Sequence, residues 1–106
     1  MAAVGDVVVD GRHLRLDRWS DGRRGPTVVL VHGAGAHRRW WHVVAPRLAL
    51  GHPVVAVDLG GHGESDWCPE YGPSVYARQL SAVIDSTTGP VLLVGHSMGG
   101  RVAAVT

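Results

Sequence analysis

Three glycine-rich stretches of this 106-residue chain carry residue types that can do chemistry. The last of them, GHSMG at 95–99, has the form G-x-S-x-G. A serine at that spacing sits in a tight strand-to-helix turn, with its hydroxyl lifted clear of a strained backbone. Gly95 and Gly99 suit such a turn, because a side chain two residues either side of Ser97 would collide across it. The helix that follows would aim its N-terminus at Ser97 and favour negative charge there. The chemistry is nucleophilic attack, and a serine performs it only when a base takes its proton.

The first stretch, HGAG at 32–35, supplies backbone amides free to face a cleft. Its useful donor for an oxyanion would be the amide of Ala34, acting with that of Met98 just after the serine. Gly33 and Gly35 permit the turn and leave room for a substrate oxygen, and His32 is expected to hydrogen-bond the backbone there. The second stretch, DLGGHGES at 58–65, places Asp58 at a strand end, where it would organise the glycine turn. In open α/β sheets ligands bind beyond the carboxyl ends of the strands, which is where all three loops fall.

A base for Ser97 is harder to find among the seven histidines. His96 adjoins the serine, and neighbouring side chains in a tight turn diverge. His62 is the best stand-in, but only as a substitute. His13, His37, His42 and His52 have no partner at metal-ligand spacing and no H-E-x-x-H occurs, so no metal site is expected. No phosphate-binding glycine motif is present, so neither a nucleotide nor any other cofactor is expected.

The elements that must position these loops are legible from periodicity. Asp10-Gly11 between two β-like runs predicts a hairpin, its second strand half exposed through His13, Arg15 and Asp17. VVLVHG, PVVAVDL and VLLVG are continuous apolar runs, as in strands buried on both faces. Between the first two, AHRRWWHVVAPRLALG is roughly helical, with a break or fresh start at Pro46. Ser74 is expected to cap a helix through Asp85 whose apolar face is Val75, Leu80, Val83 and Ile84. The order predicts an α/β sheet with right-handed crossovers.

Composition excludes several function classes. A net charge of +1 gives no electrostatic case for nucleic acid or an anionic membrane, and the arginines, Arg38–Arg39 among them, read as solvated surface. No apolar run approaches the roughly 20 residues that span a bilayer. The single Cys68 and the lack of a signal-peptide core fit a reducing, cytoplasmic setting.

VVLVHGAG, PVVAVDLGGHGESD and VLLVGHSMGG, in this order and spacing, resemble the N-terminal half of an α/β-hydrolase fold enzyme. The resemblance covers nearly the whole chain. It implies the N-terminal portion of that fold, a leading hairpin followed by parallel strands with crossover helices. It implies Ser97 as nucleophile, the Ala34 and Met98 amides as oxyanion hole, and strands 28–31 and 91–95 side by side. The turn from Gly61 through His62 and Gly63 to Ser65 matches the family's G-H-G-x-S and would shape the site rather than react.

Family members supply an acid and then a histidine from later strands. The chain is therefore expected to be an inactive N-terminal fragment, residues 1–106 forming a partial domain with an incomplete sheet. VLLVG would be an exposed edge, and Trp40, Trp41 and Trp67 would lack surfaces to bury them. The implied reaction is acyl transfer to water from a carboxylic ester or related small acyl substrate. Cofactor-free haloperoxidase and carbon–carbon hydrolase chemistry on the same elbow, and a non-catalytic binding protein, remain alternatives. A haloalkane dehalogenase is disfavoured, since it needs a carboxylate where Ser97 stands. Oligomeric state is not legible.

Overall fold

The computed structural model describes residues 2–20, 24–97, 99 and 100. Its elements are β1 (Ala3–Val9), β2 (Arg12–Trp19), β3 (Thr27–Val31), a 3-10 turn (Arg38–Trp41), α1 (Ala45–Leu48), β4 (Val54–Val57), α2 (Pro73–Asp85) and β5 (Val91–Gly95). They form one five-stranded sheet in the order β1-β2-β4-β3-β5. β1 and β2 are antiparallel, β2 runs antiparallel to β4, and β4, β3 and β5 are mutually parallel. The Asp10-Gly11 turn takes φ of +50° and +76°, the left-handed pair that a two-residue hairpin requires.

All of β3 and β4 is buried, because each face of the sheet has its own apolar layer. Val29, Val31, Val55 and Val57 pack with Leu14 and Leu16 of β2 and with Tyr76, Leu80 and Val83 of α2. The alternate residues Val28, Leu30, Val54 and Ala56 pack with Trp19, Ala45 and Ala49 on the other face. Two covered faces explain why these strands read as continuous apolar runs.

Several sequence expectations change. Asp17 is buried rather than solvated, because Arg38 and His42 pair with it. Gly72, not Ser74, occupies the N-cap of α2, and no side chain caps that end; Pro73 fills the first turn, where a missing N–H costs nothing. The buried face of α2 is Tyr76, Gln79, Leu80 and Val83, with Val75 and Ile84 half-buried. Arg38, read as surface, is 3% exposed.

Pro46 does mark a fresh start, lying in the first turn of α1 after the 3-10 turn. The VLLVG run is not buried on both faces as its composition predicts: among the described residues β5 lies at the sheet's outer edge, with Leu92 and Val94 exposed. Trp40 and Trp67 are exposed, while Trp41 is partly buried against the second layer.

Candidate active site

The parallel pairing of β3 with β5, Val31 opposite Gly95, brings the first and third glycine loops together at one end of the sheet. The His96 amide donates to the Val31 carbonyl at 3.1 Å and carries the pairing into the turn. Ser97 then adopts φ +56°, a left-handed conformation that costs a non-glycine residue about 1–2 kcal/mol. Hydrogen bonds from Gly99 N to His96 O (2.9 Å) and from Gly100 N to Ser97 O (3.0 Å) close the turn.

The two glycines flanking the serine have no room for a side chain. A Cβ on Gly95 would strike the Gly99 carbonyl, and one on Gly99 would strike the carbonyls of Val31 and His32. The turn is thus wedged against the end of β3. Of the helix expected over MGGRVAAVT, Gly99 and Gly100 are helical, while Met98 and residues 101–106 lie outside the described residues.

The first loop reaches the serine from the neighbouring strand. A Cβ on Gly33 would lie 3.3 Å from Ser97 Cβ and 3.2 Å from the His96 carbonyl, so the two loops are in contact. A turn closed by Ala36 N to Gly33 O (3.1 Å) puts Ala34 and Gly35 at its corner, Gly35 with φ +74°. Among the described residues nothing accepts a hydrogen bond from the Ala34 amide. A hollow of about 170 Å³, lined by His32, Gly33, Trp40, Trp41 and His96, opens beside this contact.

His32 is buried and fully engaged with backbone. Its Nε2 accepts from the Leu59 amide at 3.0 Å, so Nδ1 carries the proton and donates to the Gly33 carbonyl at 2.7 Å. Burial holds its pKa below the ordinary histidine value, outweighing the Gly33 hydrogen bond that raises it. His62 donates from Nδ1 to the Gly60 carbonyl at 3.0 Å and its ring lies 4.8 Å from that of His32. His96 is exposed. Among the described residues no histidine or carboxylate hydrogen-bonds the Ser97 hydroxyl, and no three His, Cys, Asp or Glu side chains cluster as metal ligands do.

Asp58 organises the second loop. Fully buried, it accepts from the Glu64 amide at 2.9 Å, from the Arg38 amide at 2.6 Å and from Arg38 Nη1 at 2.5 Å. Gly63, at φ +51°, packs directly on the carboxylate, where a Cβ would collide with it. Ser65 Oγ donates to the Asp58 carbonyl at 2.6 Å and accepts from Arg15 N at 2.8 Å, stitching the loop to β2. Gly61 packs against the Tyr71 ring, and its amide donates to the Asp66 carbonyl.

Sequence reasoning missed the cation at the centre of this arrangement. Arg38 Nη1 meets Asp58, Nη2 meets Glu64 at 2.8 Å, and Nε lies 3.1 Å from Asp17, close enough to pair but too poorly aligned for a hydrogen bond. His42 Nε2 meets the other Asp17 oxygen at 2.7 Å. Desolvation works against the Arg38 charge, but the paired carboxylates of Glu64, Asp17 and Asp58 outweigh it and raise its pKa above the ordinary value. The one available signal was Asp58, an acid directly at the end of the apolar run PVVAV; Asp17 and Glu64 sit in polar sequence.

A sequence model of the Alpha/beta hydrolase family matches residues 28–105, nearly three-quarters of the chain. The chain belongs to the alpha/beta hydrolase family. Among curated members it is 43% identical over 84 residues to Lipase LipV of Mycobacterium tuberculosis, covering 77% of this chain and 32% of that protein. It is 37% identical over 89 residues to an esterase of the same organism, covering 81% of this chain and 28% of the esterase. Among solved structures, the thioesterase domain from the curacin biosynthetic pathway superposes with a TM-score of 0.90 at 32% identity, covering 99% of this chain and 38% of that domain. The chain thus spans about a third of the length of these alpha/beta hydrolases. No helix among its described residues is long and apolar enough to cross a membrane.

Proposed function

We propose that this chain is the nucleophile-bearing N-terminal part of a serine hydrolase that cleaves a carboxylic ester or related small acyl substrate. The observation that carries the reading is Ser97 at φ +56°, on the end of β5 and in contact with the Gly33 loop. Ser97 Oγ attacks the substrate carbonyl. The tetrahedral oxyanion is held by the amides of Ala34 and Met98, the alcohol departs, and water cleaves the acyl-serine. The base and its orienting acid come from the portion of the protein outside this chain. That assignment is supported by the lack of a partner for Ser97 among the described residues, and by the chain's covering only 32% of Lipase LipV and 28% of the esterase. Residues 1–106 alone are then a partial domain with no turnover of their own. The single Cys68 favours a cytoplasmic setting.

The test is hydrolysis of p-nitrophenyl esters by the full-length protein and by its Ser97→Ala variant. Turnover abolished by the substitution supports the reading; turnover that survives it, or no turnover of any short-chain ester, counts against it.

A further inference from the structure

The loop that would supply the Ala34 amide is fixed at both ends to one place, the carboxyl end of β4. At its start, His32 Nε2 takes the Leu59 amide and His32 Nδ1 holds the Gly33 carbonyl. At its end, Asp58 takes the Arg38 amide at 2.6 Å while the Arg38 side chain folds back onto the same carboxylate. Between these anchors the turn at Ala34–Gly35 makes its one internal backbone bond, from Ala36 to Gly33.

Arg38 also ties two separate elements together, β2 and the second loop. Its guanidinium contacts Asp17 of β2 and, in the second loop, both Asp58 at its start and Glu64 near its end. Both Arg38 and Asp58 are almost wholly buried, so neither charge can relax into water when the other is removed. A shift of the 3-10 turn that begins at Arg38 would be transmitted straight to the loop five residues or fewer upstream.

We infer that Arg38, clamped by Asp58 and Glu64, is a positioning residue that sets the orientation of the Ala34 amide toward the oxyanion. The inference rests on the hydrolase reading above. Arg38 touches no reacting atom; it acts through the backbone it anchors. An oxyanion donor displaced by a few tenths of an ångström loses stabilisation of the transition state and little of the ground state.

The test uses the full-length protein with Arg38→Met, Arg38→Lys and the milder Glu64→Gln, whose carboxylate is half exposed and whose loss leaves the buried pair intact. Melting temperature, kcat and KM for a p-nitrophenyl ester, and inhibition by a trifluoromethyl ketone are measured together. The ketone forms a hemiketal oxyanion on the serine. Expected for Arg38→Met is a fall in kcat of about 100-fold with KM within about twofold, matched by a parallel loss of ketone affinity. Arg38→Lys recovers part of it, and Glu64→Gln loses kcat by a few-fold.

A folded Arg38→Met with wild-type kcat and ketone affinity overturns the inference. So does a loss confined to the unfolded fraction. Should Arg38→Met fail to fold, Glu64→Gln decides alone: unchanged kcat and ketone affinity overturn the inference. A wild-type protein inert to both ester and ketone overturns the hydrolase reading instead, and the inference falls with it.

Discussion

Gly33 and Ser97, 64 positions apart in sequence, lie against each other so closely that a single added carbon on Gly33 would come 3.3 Å from Ser97 Cβ. This contact converts two loops on neighbouring strands into one site, and it depends on the parallel pairing of β3 and β5.

Gly33→Ala therefore tests the site directly. The new methyl must push the His96 carbonyl and Ser97 apart by a few tenths of an ångström. The expected outcome is a destabilisation of about 1–2 kcal/mol by urea titration, as for other overpacked sites. In the full-length protein kcat should fall by at least about 10-fold with the oxyanion donor displaced.

Strain at Ser97 predicts an inversion of the usual ranking of substitutions. At φ +56° glycine is relieved and alanine is not. Ser97→Gly should be more stable than Ser97→Ala by about 0.5–1 kcal/mol, after allowing for glycine's greater freedom in the unfolded chain. Equal stabilities by chemical denaturation would argue against a strained elbow.

The buried and exposed ion pairs should differ sharply. Asp58→Asn leaves Arg38 without its closest countercharge in a site closed to water, and should cost about 3 kcal/mol or more. Asp10→Asn removes the exposed pair with Arg78 and should change stability by less than about 0.5 kcal/mol. Comparing the two midpoints in urea checks the claim.

Stability should fall with acidity in two windows. His32 is held below the ordinary histidine value of 6.5 by burial, so the unfolded chain takes up its proton first. Its contribution is complete above pH 6.5 and is lost as the pH falls from there through the folded value. Glu64 is lowered by its hydrogen bond to Arg38, so its contribution is complete above its ordinary 4.5 and is lost below that. Melting temperatures should drop in both windows, and His32→Gln should flatten the upper one.

Much of this was legible in the sequence, for physical reasons. Two of the three continuous apolar runs are strands covered on both faces, VLLVG being the exception at the sheet edge, and Asp10-Gly11 and G-x-S-x-G each demand a backbone conformation that few sequences tolerate. Those signals are local. What escaped was set by tertiary pairing: Arg38 looks like any surface arginine until three carboxylates distant in sequence converge on it. Asp17 was misread for the same reason, as an exposed position of an alternating strand. Ser74 lost the cap because Pro73 could start the helix two residues earlier.

The most direct test of the nucleophile is covalent. The full-length protein is treated with a fluorophosphonate, digested, and the adduct located by mass spectrometry. The expected result is a single adduct on the peptide carrying Ser97, absent in Ser97→Ala. A folded full-length protein that stays unlabelled, or that carries the adduct on another residue, would contradict Ser97 as the nucleophile.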